Sequence, residues 1–257
     1  VDPSNPLIVY AGSIHDPSTF ADRVLIGSHI FKSYDAGVTW EEVGENYPRE
    51  IETSIRVITV DPHNSNVIYI GTSKQESVVG NGLWISTDAG RTWGRSDEGL
   101  PPDASINAIV LHPSNAGWLL VGTEQGMYRS SNAARTWQRV GGWSVWDVEL
   151  NLQRPEHVYA GTEEGLKFSP DFGETWKQVS PDQLSGPIIA ITVNCNGTAV
   201  YVSDGEQGVK AAFAEPAASI PLDETMGVEY GRFTSTTNID NTGAASGTAD
   251  ESGGGGP

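Results

Sequence analysis

The chain has 257 residues, with 37% hydrophobic and 19% charged residues, 30 Gly and 15 Pro, which is a loop-rich composition able to bury a sizeable core and unlike a fibrous or wholly disordered chain. Thirty-three acidic against fifteen basic residues leave a net charge of −18, which argues against nucleic acid and anionic lipid as partners. A single cysteine, Cys195, excludes an intrachain disulfide and a cysteine-cluster metal site, and no apolar run approaches the ~18 residues of a membrane span.

Taken in chain order, the sequence repeats itself. A turn followed by an apolar run ending in Gly occurs at Asp2–Gly12, Asp61–Gly71, His112–Gly122 and Asn151–Gly161, with a shorter copy at Asn194–Tyr201. Short strands precede four of these turns, at Ile55–Val60, Ile106–Leu111, Val145–Leu150 and Ile188–Val193. Downstream lie four octets that align without gaps: Ser33–Trp40, Ser86–Trp93, Ser130–Trp137 and Ser169–Trp176. Ser, Thr and Trp recur in all four, whereas Asp35, Asp88 and Asp171 become Asn132, and Gly37, Gly90 and Gly173 become Ala134. Each unit therefore reads as four short strands in ~40–50 residues, which predicts an all-β protein built as a β-propeller with about five blades visible.

The octets resemble Asp-box (BNR) repeats, and the chain is similar over roughly residues 1–210 to the propellers of sialidases, sortilin-type VPS10 domains, xyloglucan-active enzymes and photosystem II assembly factors. That resemblance implies the fold and leaves the function open, because the motif serves many activities. Physically, Asp at the turn accepts backbone N–H bonds, Gly supplies a positive φ, and Trp (Trp40, Trp93, Trp137, Trp176) packs under the hairpin. Three such aspartates on separate blades cannot converge on one substrate, so they read as structural. Ala134 in place of Gly predicts a distorted third turn.

The first unit lacks its innermost strand; either Met226–Phe233 supplies it and closes a five-bladed ring, or the visible blades are part of a larger propeller. Residues 234–257 hold one large apolar residue, Ile239, and end in a Gly run, the composition of a flexible tail. The propeller is thus placed at residues 1–233.

Insertions at Ala11–Ile30, Gly44–Ser54, Thr72–Asn81 and Asp97–Ala104 fall on the end opposite the boxes, which makes that end the expected binding face. Among the inner strands only the fourth carries acids at alternate positions, Asp147 and Glu149. Two carboxylates so spaced sit ~7 Å apart, which suits either a glycosidase acid/base pair or the lining of a wet channel, the reading favoured here. At the mouth of the same strands, Arg56, Asn107, Trp143 and Trp146 form a candidate binding set for a sugar or a peptide carboxylate. The arginine cluster of sialidases is missing, and no phosphate loop, serine-hydrolase spacing or metal cluster appears. Cys195 is expected to pack as a small residue. The expectation is a non-catalytic module that binds a protein partner or complex outside the cytoplasm, without cofactor, metal or membrane insertion. The alternative is a carbohydrate-active enzyme.

Overall fold

The computed structural model describes residues 1–13, 28–47, 53–74, 82–102, 104–179, 184, 186–204 and 209–213. Among these residues the regular structure is all β, in five antiparallel sheets. The first blade has three strands, β1 (Val9–Gly12), β2 (Ile30–Ser33) and β3 (Glu41–Val43). The second runs from β4 (Thr53–Val60) through β5 (Ile68–Lys74) and β6 (Leu83–Ser86) to β7 (Gly94–Arg95). The third comprises β8 (Ile106–Leu111), β9 (Leu119–Thr123), β10 (Gly126–Ser130) and β11 (Gln138–Gly141). The fourth comprises β12 (Val145–Leu150), β13 (Val158–Thr162), β14 (Gly165–Ser169) and β15 (Lys177–Gln178). The fifth shows β16 (Ala190–Val193), β17 (Ala199–Ser203) and β18 (Val209–Phe213). Each sheet is a meander in sequence order, as the repeat predicts. The expected closing strand at 226–233, the tail at 234–257 and most of the three longest insertions lie outside the described residues.

The core lies between blades. Four buried clusters each join two successive sheets; one, for example, packs Tyr69 and Leu83 of the second blade against Ile106, Ile109 and Val121 of the third. A Gly in the strand after each first turn explains how closely the sheets approach. A Cβ on Gly12, Gly71 or Gly122 would overlap the side chain of Ile55, Ile106 or Val145, and one on Gly161 would overlap Ile188. In every case the obstacle lies at or near the start of the next inner strand.

The boxes form one hydrogen-bonded knot repeated four times. In the first, Ser33 Oγ accepts from Gly37 N at 2.8 Å, while Asp35 accepts from Thr39 N at 2.8 Å and Thr39 Oγ1 at 2.6 Å. The residue before each Gly also has a positive φ (Ala36, Ala89, Ala133, Phe172), and its N–H donates to the carbonyl of its own blade's first turn: Leu7, Asn66, Gly117 and Glu156 respectively. The boxes and first turns therefore form a single end of each blade.

The third box is not distorted, contrary to the sequence expectation. Ala134 takes φ 62°, inside the left-handed region open to L-residues, where the glycines sit at 83–93°. Ala134 N still donates to Ser130 Oγ, and Thr136 N to Asn132 Oδ1. The indole of Trp137 instead finds a partner in the preceding blade, donating to Ser96 O at 2.9 Å, while Ser96 Oγ donates to Ala134 O. In the other boxes Trp40, Trp93 and Trp176 donate to Gly37, Gly90 and Gly173.

Packing of the box tryptophans also departs from expectation at one site. Trp93 (4% exposed) lies under Tyr47, and Asn46 clamps its backbone N–H and C=O. Trp137 (6% exposed) shares a cluster with Leu100 and donates its N–H to Glu98 O. Trp176 meets the edge of Trp143 at 5.4 Å. Each of these covers comes from the connection that enters from the preceding blade. Trp40 has no such cover among the described residues and is 43% exposed. Cys195 is likewise exposed, not packed, because it sits at the tip of the fifth turn.

Two predictions follow from this packing. Gly71→Ala lowers stability by about 1–3 kcal/mol, because the added methyl must displace Ile106 and Val57; thermal unfolding measures it. The second concerns acid. The Thr39 hydroxyl and amide, helped by Ser33, hold Asp35 at about 2, below its ordinary 3.8. Asp88 is lowered chiefly by Thr92. For Asp171, burial pulls upward and the bonds from Thr175 and Ser169 outweigh it. A carboxylate held low in the fold stabilises fully above its unfolded value and loses that contribution as pH falls toward the folded one. The box contribution is therefore intact above about pH 4 and disappears between about pH 4 and pH 2. A triple Asp35/Asp88/Asp171→Asn variant shows a shallower loss of melting temperature over that interval.

Candidate functional site

The inner strands β4, β8, β12 and β16 place their even-numbered alternation differently from blade to blade. Two register positions above the turn, the residues are Thr59, Val110, Glu149 and Thr192; four above, they are Val57, Ala108, Asp147 and Ala190. Acids occur on one blade only, as the sequence predicts.

Asp147 is tied down. Its Oδ1 accepts from its neighbour Val148 N at 2.9 Å and its Oδ2 from Ile191 N of the fifth blade at 2.8 Å. A side chain thus supplies a bridge between inner strands that no ladder provides. Thr59 Oγ1 reaches Ile109 O at 3.4 Å across the second and third blades in the same manner. Glu149 has no hydrogen-bond partner among the described residues. Burial, and then the charge of Asp147, push its carboxyl up from 4.5 to about 7.

Arg56, Asn107 and Trp146 occupy equivalent places. The register of β4, β8 and β12 slips once each, between Ile55 and Val57, Ile106 and Ala108, and Val145 and Asp147, so each of the three is the extra residue of a β-bulge. A bulge turns its side chain out of the pleat. Arg56 and Trp146 (38% exposed) face solvent, and Ile189 (46% exposed) precedes β16 at the matching place. Asn107 differs: its Nδ2 donates to Val145 O at 2.7 Å and pins the third blade to the fourth. Trp143 points elsewhere, onto Trp176, with Lys167 Nζ 5.6 Å from its ring. The described loops on this end are short, with two-residue turns at Glu124–Gln125 and Glu163–Glu164.

Among the described residues no group of three or more His, Cys, Asp or Glu is placed to hold a metal ion. No helix there is long and apolar enough to cross a membrane. Sequence reasoning missed the bulges and the role of Ser96, and also the box-end cleft between the second and third blades. Of these, only the cleft has a signal in the sequence: aligned repeats put Ile85 where Lys32 and Arg129 stand in the first and third blades.

With this geometry in view, the chain is similar to several known proteins. The family profile described as Sortilin-Vps10 (Sortilin, neurotensin receptor 3) matches residues 28–145. A xyloglucanase of Hypocrea jecorina is 27% identical over 231 residues, covering 70% of this chain and 26% of that protein. Vacuolar protein sorting/targeting protein 10 of Schizosaccharomyces pombe is 28% identical over 117 residues, 44% of this chain and 7% of its own length. Among solved structures, an ancestral GH74 enzyme superposes with a TM-score of 0.60 at 21% identity, covering 84% of this chain and 27% of its own. YCF48 from Cyanidioschyzon merolae gives 0.51 at 16% identity, covering 72% and 63%. The chain thus carries the Asp-box β-propeller fold and spans only a small part of the curated relatives it matches. Those relatives include enzymes and receptors alike.

Removing the Asp147 acceptor leaves the Ile191 N–H without its partner, so Asp147→Ala lowers stability by about 1–3 kcal/mol, read by denaturant unfolding. Glu149 acts with the opposite sign. Its folded value lies above the ordinary one, so its contribution is full below about pH 4.5 and is lost as pH rises through about 7. Glu149→Gln accordingly gains about 1–3 kcal/mol at pH 8 and nothing near pH 4.

Proposed function

We propose that the protein is a non-catalytic propeller module that docks a protein partner on the end carrying Arg56, Trp146 and Ile189, in an extracytoplasmic setting. The observation that carries this reading is the commitment of Asp147, whose two carboxylate oxygens each accept a backbone N–H, one of them from the next blade. Both oxygens of Asp147 are engaged in holding backbone, one across the blade interface, which suits a structural bridge better than a group that must meet a substrate. The exposed guanidinium and indole on the bulges of the second and fourth blades are the residue types that anchor protein interfaces. Relatives named as a vacuolar sorting/targeting protein and as a VPS10 domain-containing receptor support a binding role. The solved extracellular domain of a Bacteroides thetaiotaomicron sensor system, with a TM-score of 0.56 at 13% identity, shares the fold, and the xyloglucanase relatives support a location outside the cytoplasm.

A second reading rests on Glu149. A carboxyl held near pH 7 is poised as a general acid, and the Hypocrea relative is a xyloglucanase. Reducing-end release from xyloglucan separates the two. The binding reading expects no release above a blank, identical for the native protein and the Asp147→Asn/Glu149→Gln variant. Turnover by the native protein that the variant lacks overturns it.

A further inference from the structure

The box end holds a cleft between the second and third blades. Where the first blade meets the second, Lys32 is buried and donates through Nζ to Ala89 O at 3.2 Å. Tyr10 OH donates to the same carbonyl at 3.2 Å, and its ring centroid lies 5.2 Å from the ammonium. The Asp2 carboxylate at the first turn adds its charge to both groups. Where the third blade meets the fourth, the position of Lys32 is held by Arg129, which lies 4.7 Å over Trp118 and pairs with Glu174 at 3.2 Å.

Between the second and third blades part of the surroundings of Lys32 recurs without the cation, whereas Tyr34, whose ring lies 4.8 Å from Lys32 Nζ, and Glu41, whose charge also acts on it, are replaced by Thr87 and Gly94. Asp61 stands for Asp2, Tyr69 for Tyr10 and Ala133 for Ala89, but the Lys32 position is Ile85. What remains is a cleft of about 440 Å³ lined by these four residues together with Ser96 and Glu98. Asp61 acts on Tyr69 as Asp2 acts on Tyr10, and both phenols are pushed to about 12, chiefly by burial. Two arginines also border the cleft. Arg95 is paired with Asp97, and Arg135 holds the place of Arg91, which acts on Tyr34 in the first interface.

We propose that this cleft accepts a lysine side chain from a partner polypeptide, seated between Tyr69 and Ala133 O where Lys32 sits one blade earlier. Glu98, exposed at the rim, and the net charge of −18 favour an incoming basic segment. The inference rests on the protein-partner reading only for the source of the cation, and it uses the opposite end of the propeller.

The test is calorimetric titration of the whole chain with two capped pentapeptides, Gly-Gly-Lys-Gly-Gly and its norleucine analogue. The lysine peptide binds at least tenfold more tightly than the analogue. Ile85→Lys, which supplies the cation from within, weakens its binding at least tenfold. Asp61→Asn weakens it at least threefold, and this variant keeps the turn, because Asn151 and Asn194 already cap the fourth and fifth turns. Equal affinity for both peptides, no binding of the lysine peptide at millimolar concentration, or affinity unchanged in both variants overturns the proposal. A partner held only through Arg56 and Trp146 would leave the first reading standing while this one fails.

Discussion

The close approach of each inner strand to a glycine in the previous blade's second strand governs the rest of this structure. Gly12, Gly71, Gly122 and Gly161 leave no room for a side chain, so the hydrophobic clusters form between sheets and each blade is stabilised by its successor. Stability in such an array is a sum of blade and interface terms. Polar bridges then fix the rotation of one blade against the next: Thr59 to the third, Asn107 to the fourth, Asp147 to the fifth. Residues that look like site chemistry in a one-dimensional reading are, in two of these three cases, part of that bridging.

The boxes obey the same dependence. Their internal hydrogen bonds are local and repeat nearly unchanged, even where Asn132 and Ala134 replace the usual residues. Burial of the tryptophans is a matter of the neighbouring blade, since Tyr47, Leu100 and Trp143 arrive on the connection from the blade before. Box and connection work as a pair. Ser96 shows how tightly, because it completes the third box from the second blade.

The architecture was legible because it rests on repetition. Four aligned octets and five turn units mark the strands, and the inner strands β8 and β12 fall at the predicted residues. The distortion expected at Ala134 was wrong for a physical reason: a left-handed alanine is tolerated when a neighbouring chain meets its carbonyl. The candidate site was legible in part. Arg56, Asn107 and Trp146 align by position, but whether such a residue faces solvent or pins a blade depends on a bulge and on the next strand, which no local pattern encodes. Likewise the spacing of Asp147 and Glu149 is visible in the sequence. That one carboxylate is bound to Ile191 N while the other is held near neutrality is not.

The central claim, that this propeller serves a protein partner through its bulge-bearing end, is tested most directly by the native mass of the complex it forms in its source. A stoichiometric partner that co-migrates with the native protein and is released by Arg56→Ala/Trp146→Ala, with the fold intact, is the result this account predicts. A lone 27.4 kDa species, or a partner retained undiminished by the variant, contradicts it.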